Sequence, residues 1–247
     1  MKAIVLAGGE GTRLRPLSFY FQKCMMPLGR QGKPLMEYIV RLLCHHGICD
    51  VNVLVGAHAE QITNYFEDGS RFGARMTYHL DQPDLKGTGN AILPALTAAG
   101  DEDVVIFYGD ILSNIDMGRM LALHREAEAD VTLALARDFP VPVGVADVTD
   151  ADGPLATVHG FREKPRIDMP VNIGIYIVRA AAFAGMRTDP NGVLDLNAHL
   201  IPRLIDEGGK IRGYLTDEFW YDVGSIERLE KLSDDMVTSE MSFLLKS

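Results

Sequence analysis

Ala3-Ile4-Val5-Leu6 runs without a break into Ala7-Gly8-Gly9-Glu10-Gly11-Thr12-Arg13-Leu14-Arg15-Pro16-Leu17. The apolar run reads as a buried strand. The glycines after it let the backbone turn sharply and bring its N–H groups close to an anion with no Cβ in the way. Arg13 and Arg15 add positive charge beside that turn. Further along the chain, short apolar runs (Val51 to Val55, Met76 to Leu80, Val104 to Tyr108) alternate with longer amphipathic ones (Leu35 to Cys44, Glu60 to Phe66, Ala91 to Ala99). That alternation predicts βαβ units.

The expected fold class is therefore α/β: a Rossmann-like, mostly parallel central sheet with helices on both faces. Such sheets bind ligands at the carboxyl ends of their strands. The loop after Leu6, the stretch Asp81 to Asn90, and Gly109-Asp110 all occupy that position. From about residue 139 the runs become shorter and are punctuated by Pro and Gly: Val143 to Val148, Leu155 to Phe161, Val171 to Val178. They predict a smaller, partly antiparallel subregion. A helix over Leu194 to Asp206, a strand near Ile211 to Leu215 and a last helix from about Ser225 complete the outline. One domain over residues 1–247 is expected, with a first half to about 138 and a substrate-binding lobe in the second half from about 139.

The 247 residues are 47% hydrophobic and 23% charged, enough to bury a sizeable core. A net charge of -10 argues against a nucleic-acid surface, which needs clustered Lys and Arg. No run approaches the length of a membrane span, and no signal-peptide layout precedes the first strand, so cytoplasmic residence is expected. Cys24, Cys44 and Cys49 form no CxxC pair and read as reduced thiols. His45, His46, His58, His79, His124, His159 and His199 show no metal-ligand spacing and receive no catalytic role.

The glycine-rich turn fails the tests for two common phosphate loops. GxxxxGK[ST] is absent, since Gly32-Lys33 is followed by Pro34. The dinucleotide fingerprint breaks at Leu14. Read whole, Leu6 to Leu17 resembles the signature LAGGxGTRLxPLT of the sugar-1-phosphate nucleotidyltransferases, with Ser18 in place of the final Thr. The resemblance implies that Leu6, Ala7, Gly8, Gly9, Gly11, Thr12 and Arg13 hold the triphosphate, with Arg13 acting on the leaving pyrophosphate.

Four further motifs follow in the family's order. In Gln22-Lys23-Cys24-Met25-Met26-Pro27, Lys23 matches the catalytic lysine and Cys24 stands where Pro is usual. A fixed cation there would stabilise charge growing on the α-phosphate. Asp110 of Gly109-Asp110 resembles the metal-binding acid of the family, and Asp222 in Trp220-Tyr221-Asp222-Val223-Gly224-Ser225 the second metal ligand; both imply Mg²⁺. Glu163-Lys164-Pro165 resembles the EKP motif. Its carboxylate would accept hydrogen bonds from sugar hydroxyls, and Lys164 would attract the sugar phosphate. Asn172 and Gly174, in Val171 to Tyr176, resemble the strand lining the sugar pocket, and Gly144 another sugar-pocket glycine. Base recognition falls on Gln82 and on Gly87 and Thr88 within Lys86-Gly87-Thr88-Gly89-Asn90. That run looks more like the guanylyltransferase form than the thymidylyltransferase one, and so favours GTP.

The resemblance implies that Arg13, Lys23, Asp110 and Lys164 serve catalysis as an NTP and a sugar-1-phosphate of mannose, heptose or cyclitol type form an NDP-sugar and pyrophosphate. A uridylyl- or thymidylyltransferase, and a non-catalytic NDP-sugar-sensing subunit, are the alternatives; a dinucleotide-dependent oxidoreductase is disfavoured by the failed fingerprint. The chain is expected to lack a large C-terminal acetyltransferase domain. Self-association into a homo-oligomer is common in the family, with no interface visible here. No nucleic-acid or membrane partner is expected.

Overall fold

The computed structural model describes residues 1–82, 84–137, 139–141, 143–149, 153–189 and 191–245. Seven strands make one sheet: β1 (Lys2–Ala7), β2 (Asp50–Val55), β3 (Arg75–Leu80), β4 (Asp103–Tyr108), β5 (Val131–Ala136), β6 (Val171–Arg179) and β7 (Ile211–Thr216). Their order is β7-β5-β6-β4-β1-β2-β3. Neighbours pair in parallel except at β6, which runs against both β4 and β5.

Among the described residues seven α-helices accompany the sheet: α1 (Leu35–His45), α2 (Ala59–Phe66), α3 (Thr88–Ala99), α4 (Met117–Glu126), α5 (Ile201–Asp206), α6 (Ile226–Lys231) and α7 (Asp234–Met241). Because successive strand residues point to opposite faces, Ala3, Val5 and Ala7 join one core while Ile4 joins the other. The first core is closed by α1, α2, α4 and α7, the second by α3 and α5. Each fully buried large apolar side chain, such as Ile4, Phe107 or Leu42, contributes about 1.5–3 kcal/mol. These two cores hold the strand ends rigidly. Register aligns Leu6 with Leu54 on one side and Tyr108 on the other, so the loops after β1, β2 and β4 emerge side by side.

The antiparallel subregion is a hairpin of Val145–Thr149 with Thr157–Arg162, extended by Phe139–Pro140 pairing with Arg166–Ile167. Three details differ from the sequence reading. The helix expected from Leu194 begins as a wide turn over Leu196–Leu200 and becomes α-helical at Ile201, where Pro202 can donate no N–H. The last helix is two: α6, capped by Ser225, and α7, capped by Ser233. α4 and β5 went unread because α4 buries only a thin stripe, Met117, Met120 and His124, and β5 has no Gly or Pro at either boundary. No described helix is long and apolar enough to cross a membrane.

Candidate active site

At the aligned strand ends lies a cleft of about 430 Å³. The glycine-rich loop forms one wall: Leu6, Ala7, Gly8, Gly9, Gly11, Thr12 and Arg13 all line it. The loop is held by Gln22, a buried side chain that the sequence reading passed over. The Gln22 amide nitrogen donates to the Ala7 carbonyl, and its Oε1 accepts the Cys24 N–H at 2.8 Å. A proline at position 24 could not make the second bond. Cys24 itself is packing. Its sulfur lies 3.7 Å from that of Met36, and burial pushes its thiol up to about 12. Arg15 turns away from the cleft, with its guanidinium over the Phe19 ring and near Glu10 at 3.9 Å.

Gly56, at the end of β2, faces this loop. A Cβ there would meet the Gly8 carbonyl and lie 2.9 Å from Asp81 Oδ2. Gly56→Ala is therefore expected to displace the loop, destabilise the chain by about 1–3 kcal/mol and raise the KM for nucleotide. Thermal melts and steady-state kinetics check it. Sequence spacing offered a signal for Gly56, which follows the carboxyl end of β2, but only the loops after β1 and β4 and the stretch Asp81 to Asn90 were singled out.

Lys23 and Asp110 line the cleft and form an ion pair with each other. Gly109 precedes Asp110 because a Cβ there would lie 2.7 Å from the Leu6 carbonyl oxygen. Asp222, remote in sequence, arrives beside Asp110. The short strands Ile111–Ser113 and Trp220–Asp222 pair antiparallel, and the Val223 N–H donates to the Asp110 carbonyl at 2.8 Å. Asp222 Oδ1 is buried with no hydrogen-bond partner among the described residues, and its carboxylate lies over Gly224, which lines the cleft. Two carboxyl-bearing residues on paired segments, one with an orphaned oxygen, supply hard oxygen donors of the kind that suits Mg²⁺, whose remaining ligands come from phosphates and water.

On the opposite wall, Gly87 and Thr88 line the cleft at the start of α3. The glycines of this run have an internal reason. A Cβ at Gly87 or Gly89 would strike the Leu194 carbonyl, and Gly87 adopts φ +93. The Gly-Thr-Gly pattern thus answers to packing against residues 193–195 and carries little information about the base. Gln82 lies outside this cleft, in an adjoining groove that shares Leu54, Asp81, Leu85 and Ala91 with it. Asp81 lines both. Burial raises its pKa above the ordinary carboxylate value, and its side chain has no partner among the described residues.

The sugar-side residues stand around rather than in the cleft. Gly144 and Glu163 meet at the open end of the hairpin, with Glu163 Oε2 3.0 Å from where a Gly144 Cβ would stand. Lys164 is exposed; it reaches the region of α6, where Glu227 is held below its ordinary value first by Lys231 and further by the charge of Lys164. Asn172 sits on β6, and its Oδ1 accepts the Gly174 N–H at 3.0 Å. Gly174 is required by the backbone: it takes φ +80 at an irregularity in β6 and abuts Tyr108 and Ile111. Asp195 and Tyr108, also in the cleft wall, belong to no motif that the sequence brought forward.

A family model described as nucleotidyl transferase matches residues 2–239. The chain is 35% identical over 235 residues to the glucose-1-phosphate thymidylyltransferase of Streptomyces antibioticus, covering 92% of this chain and 63% of that protein. It is 31% identical over 240 residues to the D-glycero-alpha-D-manno-heptose 1-phosphate guanylyltransferase of Aneurinibacillus thermoaerophilus, covering 96% of this chain and 98% of that one. It spans about three fifths of the length of the Streptomyces relative and of others matched at similar identity. The structure of HddC from Yersinia pseudotuberculosis superposes with a TM-score of 0.72 at 21% identity, over 94% of this chain and 97% of that one, and shares its fold. The loop, the paired acids and the sheet order thus coincide with a match along nearly the whole chain: it belongs to the nucleotidyl transferase family, among the sugar-1-phosphate nucleotidyltransferases.

Proposed function

We propose that the chain joins an NTP, with GTP preferred, to a sugar-1-phosphate of mannose or heptose type, or to a cyclitol phosphate, giving an NDP-sugar and pyrophosphate. The observation that carries this reading is the ion pair of Lys23 and Asp110 beside a loop of backbone N–H groups in one cleft, with the Asp222 segment paired to the strand that follows Asp110. An oxygen of the sugar phosphate attacks the α-phosphorus, and the bond from that phosphorus to the bridging oxygen of the β-phosphate breaks in line. Arg13 and the loop take up charge on the departing pyrophosphate, and Lys23 stabilises the α-phosphoryl oxygens. Glu163, Asn172 and Gly144 orient the sugar, and Lys164 its phosphate. No general base is needed, since the attacking phosphate is already an anion at neutral pH. Asp110 and Asp222 would hold Mg²⁺, which when bound neutralises phosphate charge.

Two observations support GTP. The relative matched end to end is named for guanylyl transfer. Asp81 offers a partly desolvated carboxylate, an acceptor-only group, beside the loop. Guanine presents two adjacent N–H donors to such a group, whereas uracil and thymine present one. The test is pyrophosphate release with Mg²⁺, crossing the NTPs against a panel of sugar-1-phosphates. Turnover with one pair names both substrates. In Asp81→Asn the preference for GTP over UTP is expected to fall by about 10- to 100-fold, the worth of a hydrogen bond to a charged group. Binding of an NDP-sugar without turnover of any pair would instead favour a sensing subunit.

A further inference from the structure

Residues 15–22 carry the chain from the glycine-rich turn to Lys23, and packing does little to hold them. Arg15, Pro16, Phe19, Tyr20 and Phe21 are exposed, while only Ser18 and Gln22 are buried. A stretch whose aromatic rings face water gains little from apolar burial, so hydrogen bonds must set its path. Beyond its own tight turns, two glutamine amides supply them. From α2, Gln61 Oε1 accepts the Gln22 N–H at 2.8 Å, and Gln61 Nε2 donates to the Tyr20 carbonyl at 2.6 Å. That task needs a donor and an acceptor on one planar head, which an amide provides.

Gln22 relays the constraint in two directions. Its side-chain nitrogen donates to the Ala7 carbonyl and reaches the Gly9 carbonyl oxygen at 3.5 Å, while its Oε1 accepts the Cys24 N–H at 2.8 Å. Lys23 therefore stands between two backbone N–H groups, those of residues 22 and 24, each held by a glutamine oxygen. The turn also lies close against it: a Cβ at Gly11 would stand 3.6 Å from Lys23 Cβ. Gln61 itself does not line the cleft. A misplacement of about 1 Å that originates away from the chemistry can still cost about 10²-fold in rate. We propose that Gln61 is a positioning residue of the transfer reaction: acting through Gln22, it fixes Lys23 against the glycine-rich loop without touching substrate. This rests on the transferase reading, in which Lys23 meets the α-phosphoryl oxygens.

The experiment measures pyrophosphate release and the unfolding midpoint for wild type, Gln61→Leu, Gln61→Glu, Lys23→Met and the double variant Gln61→Leu with Lys23→Met. The substrates are Mg²⁺ and the NTP and sugar-1-phosphate that wild type turns over, at a temperature well below the lowest midpoint. In Gln61→Leu, kcat is expected to fall about 10- to 100-fold, while the KM for the sugar phosphate holds within about twofold. Gln61→Glu keeps an acceptor for the Gln22 N–H and loses the donor to Tyr20, so it should recover part of kcat. On the Lys23→Met background, removing Gln61 should cost less than about threefold in kcat, because the lysine it places is no longer there. A merely structural role would lower the midpoint and leave the kcat of the folded enzyme unchanged. A kcat within about twofold of wild type in Gln61→Leu, an equal loss on the Lys23→Met background, or a change confined to the KM for the sugar phosphate overturns the assignment. If Gln61→Leu does not fold, Gln61→Glu on the same two backgrounds decides the question. Absence of turnover by wild type with every substrate pair removes the transferase reading itself and the assignment with it, so the two failures are told apart.

Discussion

Pyrophosphate release by Asp110→Asn is expected to fall about 10²- to 10³-fold below wild type, the scale of removing one preorganised electrostatic group from a transition state. Its unfolding midpoint should move little. The two expectations separate because of where the side chain sits. Its only ion-pair partner among the described residues is Lys23, and that pair, about a fifth exposed on the acid's side, is worth about 0–1 kcal/mol to folding. The amide preserves shape and volume but removes half of the paired negative charge that Asp110 and Asp222 offer beside the phosphates. Lys23 then loses the group that holds its ammonium at the cleft floor. Lys23 and Asp110 serving one charge balance should make the losses non-additive, so Lys23→Met combined with Asp110→Asn should be about as slow as the slower single variant. Single-turnover and steady-state pyrophosphate assays, with calorimetric melts of each variant, check this. Retention of activity within about tenfold in Asp110→Asn would place the charge stabilisation elsewhere.

The sequence made this much of the site legible because strand, glycine-rich turn and motif order are local or one-dimensional features. Ala3 to Val5 is fully buried, and Gly11 at φ +60 marks its own turn. The meeting of Asp110 with Asp222 depends on a short antiparallel pairing between Ile111–Ser113 and Trp220–Asp222, which periodicity cannot reveal. Gln22 was invisible for a related reason: a lone glutamine before Lys23 looks solvated until its amide is seen stapling Ala7 to Cys24. Asp195 illustrates the same limit, since its partner Thr88 lies far away in sequence and no local spacing links the two. Gly87 and Gly89 show a different limit, in which residues that fit a ligand motif are also demanded by the chain's own packing against Leu194.

The largest effect on stability is expected at Glu37, far from any phosphate. This residue of α1 is 1% exposed and charged. Lys33 Nζ lies 2.6 Å from its Oε1 and Arg41 Nε 2.8 Å, while the Tyr65 hydroxyl donates to Oε2 at 2.6 Å. Burial pushes the carboxyl up, but the hydrogen bonds from Lys33, Tyr65 and Arg41 together outweigh it and hold it below its ordinary value. Glu37→Ala leaves two cations and a phenol facing a cavity, and breaking one side of such a buried network costs about 3–5 kcal/mol. At about 2–4 °C per kcal/mol for a chain of this size, the midpoint should drop by about 6–20 °C. The pH dependence follows from the sign of the shift. A carboxyl with a depressed folded-state pKa contributes stability above its unfolded value, and that contribution is lost as pH falls through the folded one. Wild type should therefore lose stability below about pH 4.5 more steeply than Glu37→Gln, in which nothing at this position titrates. Denaturant melts from pH 7 down to pH 3 measure the difference. The site should feel the change through α1, because the Leu35 N–H that opens the helix donates to the Met26 carbonyl at 3.0 Å and so supports the segment carrying Lys23. Parallel acid profiles for wild type and Glu37→Gln would show that the network stabilises the fold by packing rather than by charge.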